Sequence, residues 1–208
     1  MSTKNTVIFD FDGTLADTFT YILLVFKEIA EEYDINIEGV DVEAMRSLSV
    51  IQLLKYFHIP LYKLPFIVLE GQKRMKRYAP KIKPIKGIPE VLNELKKRNY
   101  RMGILTSNSV ENVDDFLTRH DLDMFDFLLS QNNLFGKDRS LRSLMKKYKI
   151  VKDEAIYVGD EIRDLDACHT VQIDVVAVGW GFNTPGILKT LRPTFIVDTP
   201  EDLLTILK

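Results

Sequence analysis

The sequence predicts an α/β protein, a doubly wound and mostly parallel sheet carrying an inserted α-helical unit. Three observations predict it. An apolar strand over residues 7–11 runs directly into Asp-x-Asp-Gly-Thr, from Asp10 to Thr14. Beyond Gly87, short apolar runs alternate with amphipathic segments, the pattern of repeated β-α units whose parallel strands lie between helices. Between the two, residues 19–84 suit helices and contain no strong strand signal. The expected division is an α/β core over residues 1–18 and 85–208 with a helical unit over 19–84.

Within the insertion, helical character covers residues 19–33, 42–48, 51–57 and 64–78, broken by Asn36/Gly39 and Pro60/Pro65. Pro80, Pro84 and Gly87 close it. Residues 88–98 then place Val91, Leu92 and Leu95 at helical spacing, and 101–106 is an apolar strand. A helix over 109–118, a short strand over 127–130 and an amphipathic helix over 140–148 follow. Next come a buried strand over 155–159 and a helix over 165–170. Segments 175–178, 186–190, 195–197 and 201–207 complete the alternation. No internal repeat or low-complexity tract interrupts it.

Composition narrows the classes. With 208 residues, 46% of them hydrophobic, the chain can bury one sizeable core plus a small accessory unit. A formal net charge of -2 offers no global attraction to nucleic acid or acidic membranes, and the basic stretch over 73–86 reads as a solvated helix face and linker. Cys168 is the only cysteine, which excludes an intrachain disulfide, disfavours a cysteine metal site and fits a reducing cytoplasm. No apolar run approaches the ~20 residues of a membrane span, and no targeting segment is visible, so neither nucleic acid nor membrane is expected as a partner.

The chemistry starts at Asp10 and Asp12. Residues two apart on a strand share a face, so these carboxylates would project together and repel unless the chain leaves the strand between them. A hard divalent cation such as Mg²⁺ relieves that repulsion. Gly13 permits a tight turn and close approach to a ligand. A surface Asp-Gly turn after an edge strand would also explain the four residues alone, but Val7, Ile8, Phe9 and Phe11 indicate a strand buried on both faces. Further along, Asp160 follows Y-V-G at a strand end, with Asp164 one helical turn later, suiting a metal ligand and its supporting partner. Solvent-facing N-cap aspartates would explain Asp164 well and Asp160 less well.

Asp10 to Leu15 (DFDGTL) resembles the first signature of the haloacid dehalogenase-like hydrolases, a superfamily dominated by Mg²⁺-dependent phosphatases that form an aspartyl-phosphate. The resemblance implies a Rossmann-like core with a helical cap over the site. It extends to Val178 to Asn183 (VGWGFN) and Phe195 to Leu204 (FIVDTPEDLL), which look like phosphoglycolate phosphatase-type members. It also implies that Thr106 and Ser107 hold phosphoryl oxygens, although N-capping by Ser107 or Ser109 would account for them locally. Lys137 would be the phosphoryl counter-charge, with Asp138 standing where a proline commonly follows and Arg139 as the fallback cation. Asp10, Thr106, Lys137 and Asp160 all fall at or just beyond the carboxyl ends of successive predicted strands, where open α/β sheets bind ligands.

The implied mechanism makes Asp10 the nucleophile and Asp12 the acid/base. Mg²⁺ would be held by Asp10, Asp160 and the Asp12 carbonyl, with Gly13, Thr14 and Asp164 in support. The expected substrate is a small phosphorylated metabolite, and the protein a monomer or homodimer. Asp12 argues against a dehalogenase, which lacks that acid. It also argues against a non-turnover phospho-accepting module, which has no use for it. A phosphohexomutase shares every core motif and stays open.

Overall fold

A computed structural model describes residues 4–131 and 136–208. The core is a six-stranded parallel sheet in the order β3-β2-β1-β4-β5-β6. The strands are β1 (Thr6–Phe9), β2 (Arg101–Thr106), β3 (Phe127–Ser130), β4 (Ala155–Gly159), β5 (Asp174–Val178) and β6 (Phe195–Val197). β1 is central, pairing Val7 with Met102 of β2 and with Ile156 of β4. Every residue of β1 and β4 is buried, which explains why they read as continuous apolar runs.

Alternation splits the core in two. Val7, Phe9, Met102, Ile104, Ile156 and Val158 face one layer, packed against α5 (Ile88–Lys97), α6 (Val110–Arg119) and α10 (Leu203–Ile206). Ile8, Leu105, Tyr157, Val175 and Ala177 face the other, against α7 (Lys137–Tyr148), α8 (Ile162–Val171) and α9 (Pro185–Thr190). The chain therefore winds outward from β1 on one face and then from β4 on the other. The order reverses between β1 and β4, which opens a crevice at their carboxyl ends.

Residues 19–84 leave and re-enter this core through a single stem. Asp17 N–H donates to Lys83 O and Ile85 N–H to Leu15 O, both at 2.9 Å, and Ala16 bridges Pro84. The segment contains α1 (Phe19–Glu32), α2 (Val42–Met45), α3 (Val50–Tyr56) and α4 (Leu64–Met75). The predicted helices are all present, with α2 ending at Met45 and α4 at Met75, each three residues short of its expected end. Asp41 caps α2, and Ser49 with Gln52 forms a capping box on α3. Arg74 of α4 pairs with Glu32 of α1 and with Glu70 on its own helix, and Arg77, just past α4, pairs with Glu28 of α1. Arg74 and Arg77 of the basic stretch are thus paired with acids rather than free.

Candidate active site

The strand at the start of the chain is shorter than its apolar run. β1 ends at Phe9, although Asp10 N–H still donates to Val158 O at 2.8 Å. The backbone then wraps around one carbonyl: Phe11 O accepts from Thr14, Leu15 and Ala16 N–H, with Gly13 at φ 79°. This turn separates the two carboxylates. Asp10 is 1% exposed beneath the crevice, while Asp12 is half-buried and turns toward β2, accepting from Asn108 Nδ2 at 3.1 and 3.3 Å. Spacing alone would have left them on one face.

At the neighbouring strand end, Asp160 is fully buried. Its Oδ1 accepts from Thr14 Oγ1 and its Oδ2 from Phe182 N–H, each at 2.6 Å. The backbones of Gly13 and Gly181 press against this carboxylate so closely that a Cβ at either position would overlap it. Asp164, in the first turn of α8, accepts from Glu161 N–H at 3.0 Å. Oxygens of Asp10, Asp160 and Asp164 lie within 4.8 Å of one another.

Lys137 reaches into this cluster from the first residue of α7, one step past the left-handed Gly136. Its Nζ lies 2.9 Å from Asp10 Oδ2 and also contacts Asp164 Oδ1. Asp138 in the first helical turn suits the helix dipole, and Arg139 is exposed. With Asp138 rather than proline after it, the lysine still reaches Asp10 and Asp164.

Too many buried anions share this space. Burial, reinforced by Glu161, Asp10 and Asp164, pushes Asp160 well above the usual carboxylate range. Asp164 is raised to about 6 by burial, against the pull of Lys137. Asp12 is also raised to about 6, by burial and by Asp10, with Asn108 opposing. Burial works against the Lys137 ammonium, yet Asp10 and Asp164 hold its pKa above the ordinary value. Asp10 Oδ2 accepts no hydrogen bond from the described residues and lies 2.9 Å from this ammonium. An all-oxygen donor set with surplus negative charge fits a hard divalent cation.

Thr106 and Ser107 sit where the chain leaves β2. Thr106 is 2% exposed and its Oγ1 accepts from Asn108 N–H at 2.9 Å, shaping the turn, while Ser109 caps α6. A narrow crevice brings Thr106 and Ser107 together with Lys137 and Arg163. Arg163 and Asn108 were not anticipated as site residues. Arg163 Nη1 and Nη2 each lie 3.4 Å from Ser107 Oγ, and Nη2 pairs with Glu161 at 2.6 Å. The one sequence signal for it was a basic residue enclosed by the acids of GDEIRD.

A larger cavity of about 430 Å³ opens in front of Asp12, between the crevice and the helical segment. Asn183 ties its two walls together. It donates from Nδ2 to Arg46 O at 2.6 Å and Leu48 O at 3.3 Å, and accepts from Ile162 N–H at 2.8 Å.

Replacing Lys137 by Ala is expected to act twice. Asp10 and Asp164 would stay buried without their counter-charge, at a cost of about 3 kcal/mol, lowering the unfolding midpoint by roughly 6–12 °C. Catalytic rate should fall strongly as well, because a fixed cation beside Asp10 is lost. If only the Michaelis constant moved, by a few-fold, with the midpoint unchanged, Lys137 would be neither a structural nor a catalytic counter-charge.

The family model for haloacid dehalogenase-like hydrolases matches residues 7–178. A phosphoglycolate phosphatase from Synechococcus elongatus is 30% identical over 200 residues, spanning 95% of this chain and 94% of that protein. The pyrophosphatase PpaX of Bacillus anthracis is 27% identical over 209 residues, with 98% and 96% covered. Among solved structures, the haloacid dehalogenase-like family protein SP0104 from Streptococcus pneumoniae superposes with a TM-score of 0.83 at 20% identity over the whole of both chains.

Proposed function

The chain belongs to the haloacid dehalogenase-like hydrolase family and is one of its phosphatases, and from that premise we propose that it hydrolyses a small phosphomonoester through an aspartyl-phosphate on Asp10, with Mg²⁺ as cofactor. The observation that carries this reading is the sorting of the two motif carboxylates. Asp10 is buried beside Lys137 with Oδ2 free of hydrogen bonds, whereas Asp12 lines the open cavity.

Asp10 Oδ2 attacks phosphorus in line and the phosphorus–oxygen bond to the alcohol breaks. Asp12, whose carboxyl is raised to about 6, delivers its proton to the departing oxygen and later takes one from the water that hydrolyses the acyl phosphate. Lys137 and the Thr106/Ser107 turn hold charge on the transferring group. Asp10, Asp160 and the Asp12 carbonyl would hold Mg²⁺, with Asp164 fixing Lys137. When bound, the ion offsets repulsion between the anionic nucleophile and the anionic substrate.

Metal and acidity are linked with a definite sign. Asp12 and Asp164 have folded pKa values raised from 3.8 to about 6, so their favourable contribution to metal-free stability is present below about pH 4 and lost as pH rises through about 6. Asp160, a proposed ligand whose carboxyl is also pushed well above its ordinary range by burial, must lose its proton to hold Mg²⁺. Aryl phosphate hydrolysis should therefore require Mg²⁺, and the rise in unfolding midpoint on adding Mg²⁺ should be larger at pH 7.5 than at pH 5. Metal-independent hydrolysis, or a midpoint shift that ignores pH, would refute the metal assignment.

Residues 19–84 are proposed to act as a cap, hinged at the stem formed by Leu15–Asp17 and Lys83–Ile85. Supporting this, the cavity in front of Asp12 takes one wall from this segment. A cap of this kind excludes water and contacts the substrate beyond its phosphate. Replacing it by a short Gly/Ser linker should leave weak activity on small aryl phosphates and erase discrimination among larger esters. A folded truncation that kept the full ranking of substrates would place specificity in the core.

A further inference from the structure

Resting on the phosphatase reading above, we infer that the alcohol released from the substrate is uncharged and largely apolar, and larger than a two-carbon acid. The cavity that Asp12 faces has a volume of about 430 Å³, within the range of sites that enclose small organic ligands. Its wall on the helical segment is formed by Ile22, Leu48, Val50, Leu53, Val68 and Met75. That apolar surface rewards burial of a carbon skeleton, and a two-carbon group leaves most of it wetted.

Charge points the same way. Among the described residues lining the cavity, Arg163 is the sole cation, whereas Asp12, Glu161 and Asp166 bring three carboxylates. Arg163 is already paired with Glu161 at 2.6 Å. The guanidinium that the helical segment turns to the core, Arg46, donates to Phe182 O and Gly181 O at 2.9 Å each and pairs with Glu43 at 2.8 Å. Asn132 to Phe135, outside the described residues, carry no charged side chain. A carboxylate or second phosphate on the leaving group would therefore enter a cavity of net negative charge with no unpaired cation in its described lining to meet it.

The remaining polar lining is amides and the Ser49 and Ser107 hydroxyls, and most of it is engaged, Ser49 Oγ accepting from Gln52 N–H and Ser107 Oγ from Arg163. Asn108 holds Asp12, Gln72 donates to Ser107 O at 3.2 Å, and Asn183 bridges Arg46, Leu48 and Ile162. Asn112 donates to Asn108 Oδ1 at 2.9 Å, and its own Oδ1 accepts no hydrogen bond from the described residues, so it can receive one from a hydroxyl. The occupant that satisfies this lining is a neutral alcohol with an apolar body and at most a few hydroxyls.

The test compares esters of primary alcohols, so that leaving-group acidity stays nearly constant, and the first pair is also matched in length. With Mg²⁺ at pH 7.5, kcat/KM for n-butyl phosphate should exceed that for 4-phosphonooxybutanoate by at least about 30-fold, and 3-phenylpropyl phosphate should exceed ethyl phosphate by at least about tenfold. Ile51→Lys adds a cation to the lining at a position already 49% exposed, and it should narrow the first ratio to a few-fold. Val68→Lys repeats this from another helix should the first variant fold poorly. Equal or faster hydrolysis of the carboxylate ester would overturn the inference and leave the phosphatase reading intact. So would a ratio that neither lysine variant moves. Failure to hydrolyse every ester, an aryl phosphate included, would overturn both.

Discussion

Asp10→Asn is expected to abolish turnover, by roughly 10⁴-fold or more on an aryl phosphate, the scale on which nucleophiles act in covalent catalysis. The substitution is nearly isosteric, so its effect on packing is small. Phe11 N–H keeps an acceptor in the amide oxygen, replacing its 2.8 Å bond to Asp10 Oδ1. Lys137 keeps Asp164 as a partner, so its charge is not orphaned. What disappears is an anionic oxygen able to bond to phosphorus. Acid quenching of the wild-type reaction should trap an alkali-labile phosphoryl group on Asp10, and the variant should trap none. Turnover near the wild-type level would remove Asp10 from the nucleophile role whatever the metal does.

Asp12→Asn has the second-largest expected effect. Proton transfer by a positioned acid contributes typically 10²–10⁴-fold, and turnover should fall by that amount. The loss should depend on the leaving group. An alkyl alkoxide needs the proton, while an aryloxide departs without it, so the defect on butyl phosphate should exceed the defect on an aryl phosphate by about tenfold or more. Mg²⁺ binding should persist, because the proposed ligand at this position is the backbone carbonyl, and the amide retains a polar partner in Asn108. An unchanged rate would make Asp12 a structural residue. A uniform loss across leaving groups would point instead to misplacement of Asp10.

Much of the fold was legible because its central strands are buried on both faces. A strand such as Ala155–Gly159, covered by helices on either side, has to be apolar at every position, and no amphipathic helix reads that way. The helices after Gly87 show a single apolar stripe for the complementary reason, as with Val91, Leu92 and Leu95 on α5. Boundaries were less legible where caps and turns set them. α7 starts at Lys137 rather than near Ser140, since Gly136 in the left-handed region begins the helix without a side-chain cap. β1 stops at Phe9 because three amides converge on the carbonyl of Phe11, which the apolar run does not announce.

By itself the sequence determined that carboxylates, a threonine and a lysine end up at the carboxyl ends of parallel strands, because strand and turn chemistry is local and each motif sits on its own element. Tertiary structure alone decided which groups meet. The reversal of strand order between β1 and β4 brings Asp160 beside Asp10, and the crossover through α7 carries Lys137 to Asp10 and Asp164. Asp12 and Asn108 meet across 96 positions of chain, and Asn183 reaches back to Arg46 over 137. Arg163 lies inside a recognisable acidic motif beside its partner Glu161, yet only packing brings it to Ser107, 56 positions away. Such pairings depend on distances between elements far apart in the chain. Local sequence encodes the chemistry of each group, and only the packed sheet sets the separations at which those groups attract, repel or hold a ligand.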